Sequence, residues 1–356
     1  MMCPFLTVVI PTRNRCHLLR ETIKRFQDAR KRLSDPALVE LLVVDNCSND
    51  NTFEMLRNLN ETDKTTTYRK QATLKKTAEM SMAHAVEMAK GEYVWVFGDD
   101  DIPHEDSLAS LIANITDGKD FFLINCNMRL PNKSAFRYLP REKCKNYSVA
   151  RNLWLDLGFV SATTTMSSLC FRRSMFDLSI FEEYAEISEI YSHSVSMFVM
   201  FYRGTASVIS EPLFTYSLNT SEEEGGRFNE YFDQKGLSVF FPFTLGLLRL
   251  LYRASSSTGV RIQDMLNARE SEIRKDTWQM LESTTRQFIE RFCKDSKKSL
   301  ADPACRLYNK TGRVQCLIEI LAIEYCVRSL KSSLIKRLII RRLLKTEKKT
   351  CPYETH

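Results

Sequence analysis

Short apolar runs alternate with amphipathic stretches along the N-terminal third of the chain. The apolar runs predict strands buried on both faces, at Leu6–Ile10, Leu38–Val44 and Tyr93–Phe97, with a weaker strand at Thr65–Gln71. The amphipathic stretches predict helices between these strands. Because strands that alternate with helices form a parallel sheet covered on both faces, the pattern predicts an α/β fold.

Caps and breakers set the expected ends of the helices. Asp50 is a good N-cap for the helix that carries Leu56. A further helix is predicted at Ala78–Lys90, where Gly91 would end it, and another at Asp106–Asn114. Short polar segments therefore remain between each strand and the helix that follows it.

Three of these polar segments are candidates for one site. Pro11–Arg15, Asp45–Asn46 and Asp99–Asp101 each come directly after a predicted strand. In open α/β sheets, ligands bind beyond the carboxyl ends of the strands. We therefore expect the three segments to converge on a single crevice.

The last segment consists of three consecutive carboxylates, Asp99, Asp100 and Asp101, at the mouth of a buried strand. Three like charges in a row repel each other, and a cation among them would relieve the repulsion. Oxygen ligands without a nearby His or Cys favour Mn²⁺ or Mg²⁺, which usually share their coordination with substrate phosphates. The alternative is a solvated acidic turn that caps the following helix.

The length of the chain, its missing nucleotide-binding motifs and its cysteine spacing limit the classes of protein to which it can belong. A chain of 356 residues holds one large domain with an extension, or two domains. Neither GxGxxG after the first strand nor GxxxxGK[ST] occurs, so a dinucleotide fold and a P-loop ATPase are disfavoured. The eleven cysteines lack CxxC pairs, and Met1–Phe5 is too short for a signal peptide, so we expect a cytoplasmic protein with free thiols.

The ordered motifs VVIPTRN, LLVVDNCSNDNT and AKGEYVWVFGDDD resemble the nucleotide-sugar-binding half of family 2 glycosyltransferases, which have the GT-A fold. The resemblance covers residues 4–112 well and extends loosely to residue 216. It implies a Rossmann-like, mostly parallel sheet flanked by helices, and sugar transfer from a nucleoside diphosphate donor, most commonly UDP, with inversion. It also implies a glycan or polyprenyl-phosphate-linked acceptor, as in surface polysaccharide synthesis.

The same resemblance implies roles for particular residues. Contacts to the nucleotide fall on Pro11, Thr12, Arg13, Asp45, Asn46 and Asp99, and the metal ligands fall on Asp99, Asp100 and Asp101. The family often has an Arg or Asn in the helix before the GEY strand, where this chain has Met80–His84. Arg69, Lys70, Lys75 and Lys76 are candidates for the missing positive charge, although a solvated loop explains that run most simply.

The catalytic base also departs from the family pattern. The usual Asp lies about eleven residues before a Gly, and counting back from Gly204 reaches His193. A neutral imidazole can accept the proton of an acceptor hydroxyl near physiological pH. Glu189 and Glu186, one or two helical turns earlier, are competing candidates. A structural His on an apolar helix is a further alternative.

The chain changes character near residue 220. We expect a GT-A catalytic domain at residues 1–220 and a mostly α-helical C-terminal extension at residues 221–356. Residues 330–349 predict a basic amphipathic helix, which favours a peripheral position on the anionic inner face of a membrane. Docking on the catalytic domain is the alternative, and nucleic acid is disfavoured as a partner. Two other functions stay open: a nucleotidyltransferase, and a degenerate scaffold that binds nucleotide sugar without turnover.

Overall fold

The computed structural model describes residues 3–62, 66–129, 136–139, 144–159, 163, 165–188, 190–217 and 246–266. Its described residues form a sheet with helices on both faces. The strands are β1 (Leu6–Thr12), β2 (Val39–Asp45), β3 (Thr66–Lys70), β4 (Tyr93–Val96), β5 (Ile102–Pro103), β6 (Phe121–Arg129), β7 (Phe136–Arg137), β8 (Asn146–Tyr147), β9 (Leu169–Arg172) and β10 (Ala206–Ser217). The main path through the sheet is β3-β2-β1-β4-β9-β6-β10-β5, and the short strands β7 and β8 pair with β6 and β10.

The helices of the described residues are α1 (Cys16–Lys31), α2 (Thr52–Thr62), α3 (Ala78–Glu87), α4 (Ser107–Ile115), α5 (Arg151–Leu157), α6 (Leu178–Ile187), α7 (Ser192–Phe201), α8 (Leu247–Thr258) and α9 (Ile262–Leu266). Alternate residues of each strand point to opposite faces, so the sheet buries two apolar cores. Val8 and Ile10 of β1 pack in the core with α1, α2 and α4, whereas Val9 packs in the core with α3 and α5–α8.

The α/β prediction is confirmed, and the sheet is more mixed than the sequence indicates. Strands β3, β2, β1 and β4 are parallel neighbours, as predicted. Beyond them, β9 inserts antiparallel between β4 and β6, and β5 pairs antiparallel with β10. This mixing involves pairings between strands far apart in the sequence, which local hydrophobic patterns do not encode.

The prediction that α3 runs to Lys90 and is ended by Gly91 is wrong. The helix ends at Glu87 with Met88 as its C-cap, before the glycine is reached. Gly91 is required for a different reason. A Cβ at this position would lie 2.5 Å from the backbone nitrogen of Thr7 and 2.7 Å from the carbonyl oxygen of Tyr93, so the close approach of the two strands excludes any side chain.

Helices α8 and α9 pack on the core that α6 and α7 also form. Leu247, Leu250 and Leu251 of α8 are fully buried in that core. The predicted domain boundary at residue 220 and the predicted basic helix at 330–349 lie outside the described residues and stay predictions. Among the described helices, none combines the length and hydropathy needed to cross a membrane.

Candidate active site

One cavity of about 850 Å³ opens beyond the carboxyl ends of β1, β2 and β4. Its lining includes Pro11–Arg15, Asn46 and Gly98–Asp101, so it draws on all three polar segments that the sequence singles out. The parallel order β2-β1-β4 explains this arrangement, because it brings the three strand ends to the same edge of the sheet. Lys75–Ala78, Thr165–Ser167 and Tyr216 complete most of the wall.

Asp99 is a buried carboxylate. It accepts hydrogen bonds from Thr12 Oγ1 at 2.7 Å and from Arg15 Nη1 at 2.7 Å. Burial raises the pKa of the Asp99 carboxyl, and the guanidinium of Arg15 opposes that shift. Asp99 therefore ties the loop after β1 to the turn after β4.

Arg15 also contacts the second carboxylate. The same Nη1 atom lies 2.8 Å from Asp100 Oδ2, so one guanidinium bridges two neighbouring aspartates. The sequence interpretation expects a metal ion to relieve the repulsion in this triplet. In the structure, an internal arginine neutralises part of the charge.

Asp100 and Asp101 keep oxygen atoms directed to the space above Gly98. A Cβ on Gly98 would lie 3.1 Å from Asp100 Oδ1 and 3.2 Å from Asp101 Oδ2, so the two carboxylates converge where this residue has no side chain. Ser167 Oγ fixes Asp101 by donating a hydrogen bond to its Oδ2 at 2.5 Å. Ser167 Oγ also accepts a hydrogen bond from the backbone nitrogen of Gly98. The indole of Trp95 donates to the carbonyl of Ser167 and holds that segment in place.

These oxygen atoms suit a hard divalent cation such as Mn²⁺ or Mg²⁺. Within the described part of the chain, no group of three or more His, Cys, Asp or Glu residues is arranged to hold a metal by itself. Asp100 and Asp101 are therefore suited to hold such an ion only together with ligands from a bound molecule. Mg²⁺ is commonly bound in this way, by one or two carboxylates and substrate phosphates.

The turn after β2 is held by its own side chains. Asp45 is fully buried, and its Oδ1 accepts hydrogen bonds from the backbone nitrogen and the hydroxyl of Ser48. Ser48 Oγ in turn accepts from the backbone nitrogen of Asn14, and Asn14 Oδ1 accepts from that of Asn49. Asp45 does not line the cavity, and it acts on the site by fixing this turn against the loop after β1.

Asp50 caps two helices at once. Its Oδ2 accepts from the backbone nitrogen of Cys16, the first residue of α1, and its Oδ1 accepts from that of Thr52, the first residue of α2. Burial works to raise the pKa of Asp50, but hydrogen bonds from Thr52 and Cys16 outweigh it, and the pKa falls below its ordinary value. The capping role predicted for α2 thus extends to α1.

Asn46 lines the cavity and holds a second loop in place. Its Oδ1 accepts from the backbone nitrogen of Lys75 at 2.8 Å, and its Nδ2 donates to the carbonyl of Lys75 at 3.0 Å. This pair of hydrogen bonds anchors Lys75 and Lys76 at the cavity wall. The segment is both a solvated loop, with Lys76 exposed, and a part of the cavity wall.

Tyr216 lies at the carboxyl end of β10 and lines the same cavity. Burial, the main cause, and the neighbouring charges of Asp101 and Asp100 raise the pKa of its phenol to about 12. The hydroxyl is consequently neutral over the whole physiological range.

The predicted base His193 lies on α7, which contributes no residue to the lining of the cavity. It is buried at the start of α7, and its Nδ1 lies 3.6 Å from Glu79 Oε1 of α3. His193 does not occur among the described residues that line the cavity. Glu189 lies outside the described residues, and Glu186 lies near the end of α6 without lining the cavity.

The cavity residues without an individual role in the sequence interpretation include Arg15, Ser167 and Tyr216. Arg15 belongs to the predicted polar segment, yet nothing in its neighbourhood indicates a pairing with Asp99, which is 84 residues away. Ser167 and its partner Asp101 are 66 residues apart. The only sequence signal was the run of small polar residues that contains Ser167, TTTMSS.

Comparison with known proteins places this site in a family. The family model "Glycosyl transferase family 2" matches residues 7–184, which is half of the chain. Abequosyltransferase RfbV of Salmonella typhimurium is 25% identical over 206 residues, covering 55% of this chain and 61% of that protein. The GalNAc(5)-diNAcBac-PP-undecaprenol beta-1,3-glucosyltransferase of Campylobacter jejuni is 23% identical over 215 residues, covering 60% and 65%.

The chain spans slightly less than two thirds of the length of each of these relatives. The crystal structure of S. aureus TarS 1-349 in complex with UDP-GlcNAc is similar in fold, with a TM-score of 0.51 at 14% identity, covering 90% of this chain and 91% of that one. The sheet order, the cavity at its carboxyl edge and the family match agree with each other. This chain has the GT-A fold and belongs to glycosyl transferase family 2.

Proposed function

We propose that this protein transfers a sugar from a nucleoside diphosphate donor, with UDP as the nucleotide, to a glycan or lipid-linked acceptor with inversion at the anomeric carbon. One observation carries the proposal: a single cavity is lined both by Asp99–Asp101 and by the lysines Lys75 and Lys76. Carboxylates can hold a divalent cation that a diphosphate shares, and cationic residues can offset the remaining phosphate charge. Family membership supplies the reaction type.

Negative charge builds up on the diphosphate as it leaves, and such a site lowers the activation free energy by stabilising that charge. Lys75 and Lys76 would offset that charge from the loop that Asn46 anchors. Asp100 and Asp101 would hold Mn²⁺ or Mg²⁺, and the bound ion would supply Lewis-acid stabilisation of the leaving group. Ser167 orients Asp101 for this role.

The nucleoside would bind along the loop after β1. Pro11, Thr12 and Arg13 line the cavity there, and Arg13 is exposed to solvent. Asn46 lines the cavity and keeps one amide hydrogen and one acceptor lone pair beyond its bonds to Lys75, and these would pair with the edge of a base. Asp45 would act indirectly, through the turn that it fixes.

On the acceptor side, the attacking hydroxyl must give up a proton to a base. His193 or Glu189 would take the proton of the acceptor hydroxyl, and His193 would have to act from outside the cavity lining described above. The Campylobacter relative is named for a lipid-linked acceptor, a PP-undecaprenol glycan, which supports an acceptor of that class. Such an acceptor would place the reaction at the cytoplasmic face of a membrane.

The donor class is tested by thermal stability in the presence of UDP, GDP, dTDP, CMP and ATP, each with Mn²⁺ or with EDTA. A ligand that binds only the native state raises its melting temperature. We expect a shift with UDP that requires Mn²⁺. A shift with ATP alone would favour a nucleotidyltransferase, and the absence of any shift would contradict nucleotide-sugar binding. Metal-dependent UDP binding without hydrolysis or transfer from any UDP-sugar would favour the scaffold alternative.

A further inference from the structure

Tyr216 is placed beside the carboxylates by the register of the sheet. In the antiparallel pair of β10 and β5, Phe214 lies opposite Pro103 and Thr215 lies opposite Ile102. The next residue of β10 is Tyr216, and the residue before Ile102 is Asp101. The strand pairing therefore brings the tyrosine to the turn that presents Asp100 and Asp101, and all three residues line the cavity.

The surroundings of Tyr216 favour a hydroxyl that donates to a ligand. Its ring packs against the core that contains Phe214 and Cys126, which fixes the side chain. Its hydroxyl makes no hydrogen bond with any residue in the described part of the chain. A tyrosine hydroxyl carries a proton at neutral pH, so it offers a donor without adding a negative charge beside the two aspartates.

A phosphate group is the acceptor that this position fits. Asp100 and Asp101 would hold a divalent cation together with the phosphates of the donor, so the diphosphate would bind beside the two carboxylates. Tyr216 borders the same space. On the basis of the proposed function, we propose that the hydroxyl of Tyr216 donates a hydrogen bond to a phosphate oxygen of the donor diphosphate and stabilises it as it leaves.

A hydrogen bond from Tyr216 to phosphate and a mere packing role of its ring predict different effects on ligand binding. The contact exists only when a phosphate is present, so the nucleoside by itself gains nothing from it. A hydrogen bond to a charged group strengthens as charge accumulates on the leaving diphosphate. Loss of the hydroxyl should therefore affect diphosphate binding and turnover, and leave nucleoside binding intact.

The test compares Tyr216→Phe with Tyr184→Phe in the full chain. Tyr184 of α6 is a matched control, because its hydroxyl is also partly buried, near Ser257 Oγ, and it does not line the cavity. Isothermal titration with Mn²⁺ measures the affinity of each variant for UDP and for uridine. Hydrolysis of UDP-GlcNAc, a probe donor, gives kcat and KM.

We expect Tyr216→Phe to weaken UDP binding about tenfold and to lower kcat about tenfold or more, with uridine affinity within about twofold of the wild type. Tyr184→Phe should match the wild type in UDP affinity, uridine affinity and kcat. Unchanged UDP affinity and kcat in Tyr216→Phe would overturn the proposal while the function stands. Equal losses for UDP and uridine would overturn it in favour of a packing role. A wild-type protein that binds neither ligand would refute the proposed function itself, and the role of Tyr216 with it.

Discussion

Replacing Arg15 with Met should destabilise the protein far more than replacing a surface arginine. Arg15 bridges Asp99 and Asp100, and the Asp99 side chain is only 7% exposed. Removal of one partner from a buried ion pair typically costs 3–5 kcal/mol, because it leaves an uncompensated charge. Arg15 is itself 22% exposed, and Asp99 keeps its hydrogen bond from Thr12, so we expect the lower end, about 3 kcal/mol.

The loss of stability in Arg15→Met should also depend on pH, and its direction follows from the pKa of Asp99. Burial already raises the pKa of Asp99 in the folded protein, and loss of Arg15 would raise it further. The native state then binds more protons than the unfolded state between the ordinary Asp pKa and the raised one, so stability is highest below this window and falls as pH rises through it. The difference in stability between Arg15→Met and the wild type should therefore shrink on acidification from neutral pH.

Urea denaturation of both proteins at several pH values measures this effect. Arg25→Met is the matched control: Arg25 lies on α1, which Arg15 directly precedes, and it pairs with Glu21 at the same 2.7 Å, but its side chain is 44% exposed. Exposed pairs of this kind contribute about 0.5 kcal/mol or less. A loss of stability below about 1 kcal/mol for Arg15→Met, or a loss that does not change with pH, would refute the conclusion that Arg15 stabilises a buried Asp99 carboxylate.

Three further substitutions test other parts of the account. Gly91→Ala should cost about 3 kcal/mol or prevent folding, because its Cβ would meet backbone atoms at 2.5–2.8 Å; a melting temperature near that of the wild type would contradict this. Asp50→Ala should cost about 1–2 kcal/mol at neutral pH through lost capping, as measured by urea denaturation. Because the pKa of Asp50 is lowered in the folded state, that cost should diminish below about pH 4, and a cost that grew on acidification would oppose the assignment. Ser167→Ala should weaken Mn²⁺-dependent UDP binding about tenfold by releasing Asp101, with uridine binding as the internal control.

The sequence was sufficient to predict the first four strands and the edge of the sheet where the cavity lies. Buried parallel strands appear as continuous apolar runs, and Leu6–Ile10 and Tyr93–Phe97 match β1 and β4 to within two residues. The polar residues directly after such strands meet at one edge of the sheet, so the sequence predicts that Thr12, Asn46 and Asp99 lie close together.

The partners within the site could not be predicted in the same way. Arg15 and Asp99, or Ser167 and Asp101, meet only because distant strands become neighbours. The insertion of β9 between β4 and β6 brings Ser167 to the site, and the pairing of β5 with β10 brings Tyr216 there. Gly91 shows the same limit, since its local sequence suggests a helix end and its actual constraint comes from β1.

The central claim is that Asp100 and Asp101 bind a divalent cation together with a nucleoside diphosphate. Isothermal titration of UDP into the wild type and into Asp101→Asn, each with Mn²⁺ and with EDTA, tests it most directly. We predict tight binding to the wild type only with Mn²⁺, and a loss of about a hundredfold or more in Asp101→Asn, in keeping with removal of a metal ligand. Equal UDP affinity with Mn²⁺ and with EDTA, unaffected by the substitution, would contradict the claim.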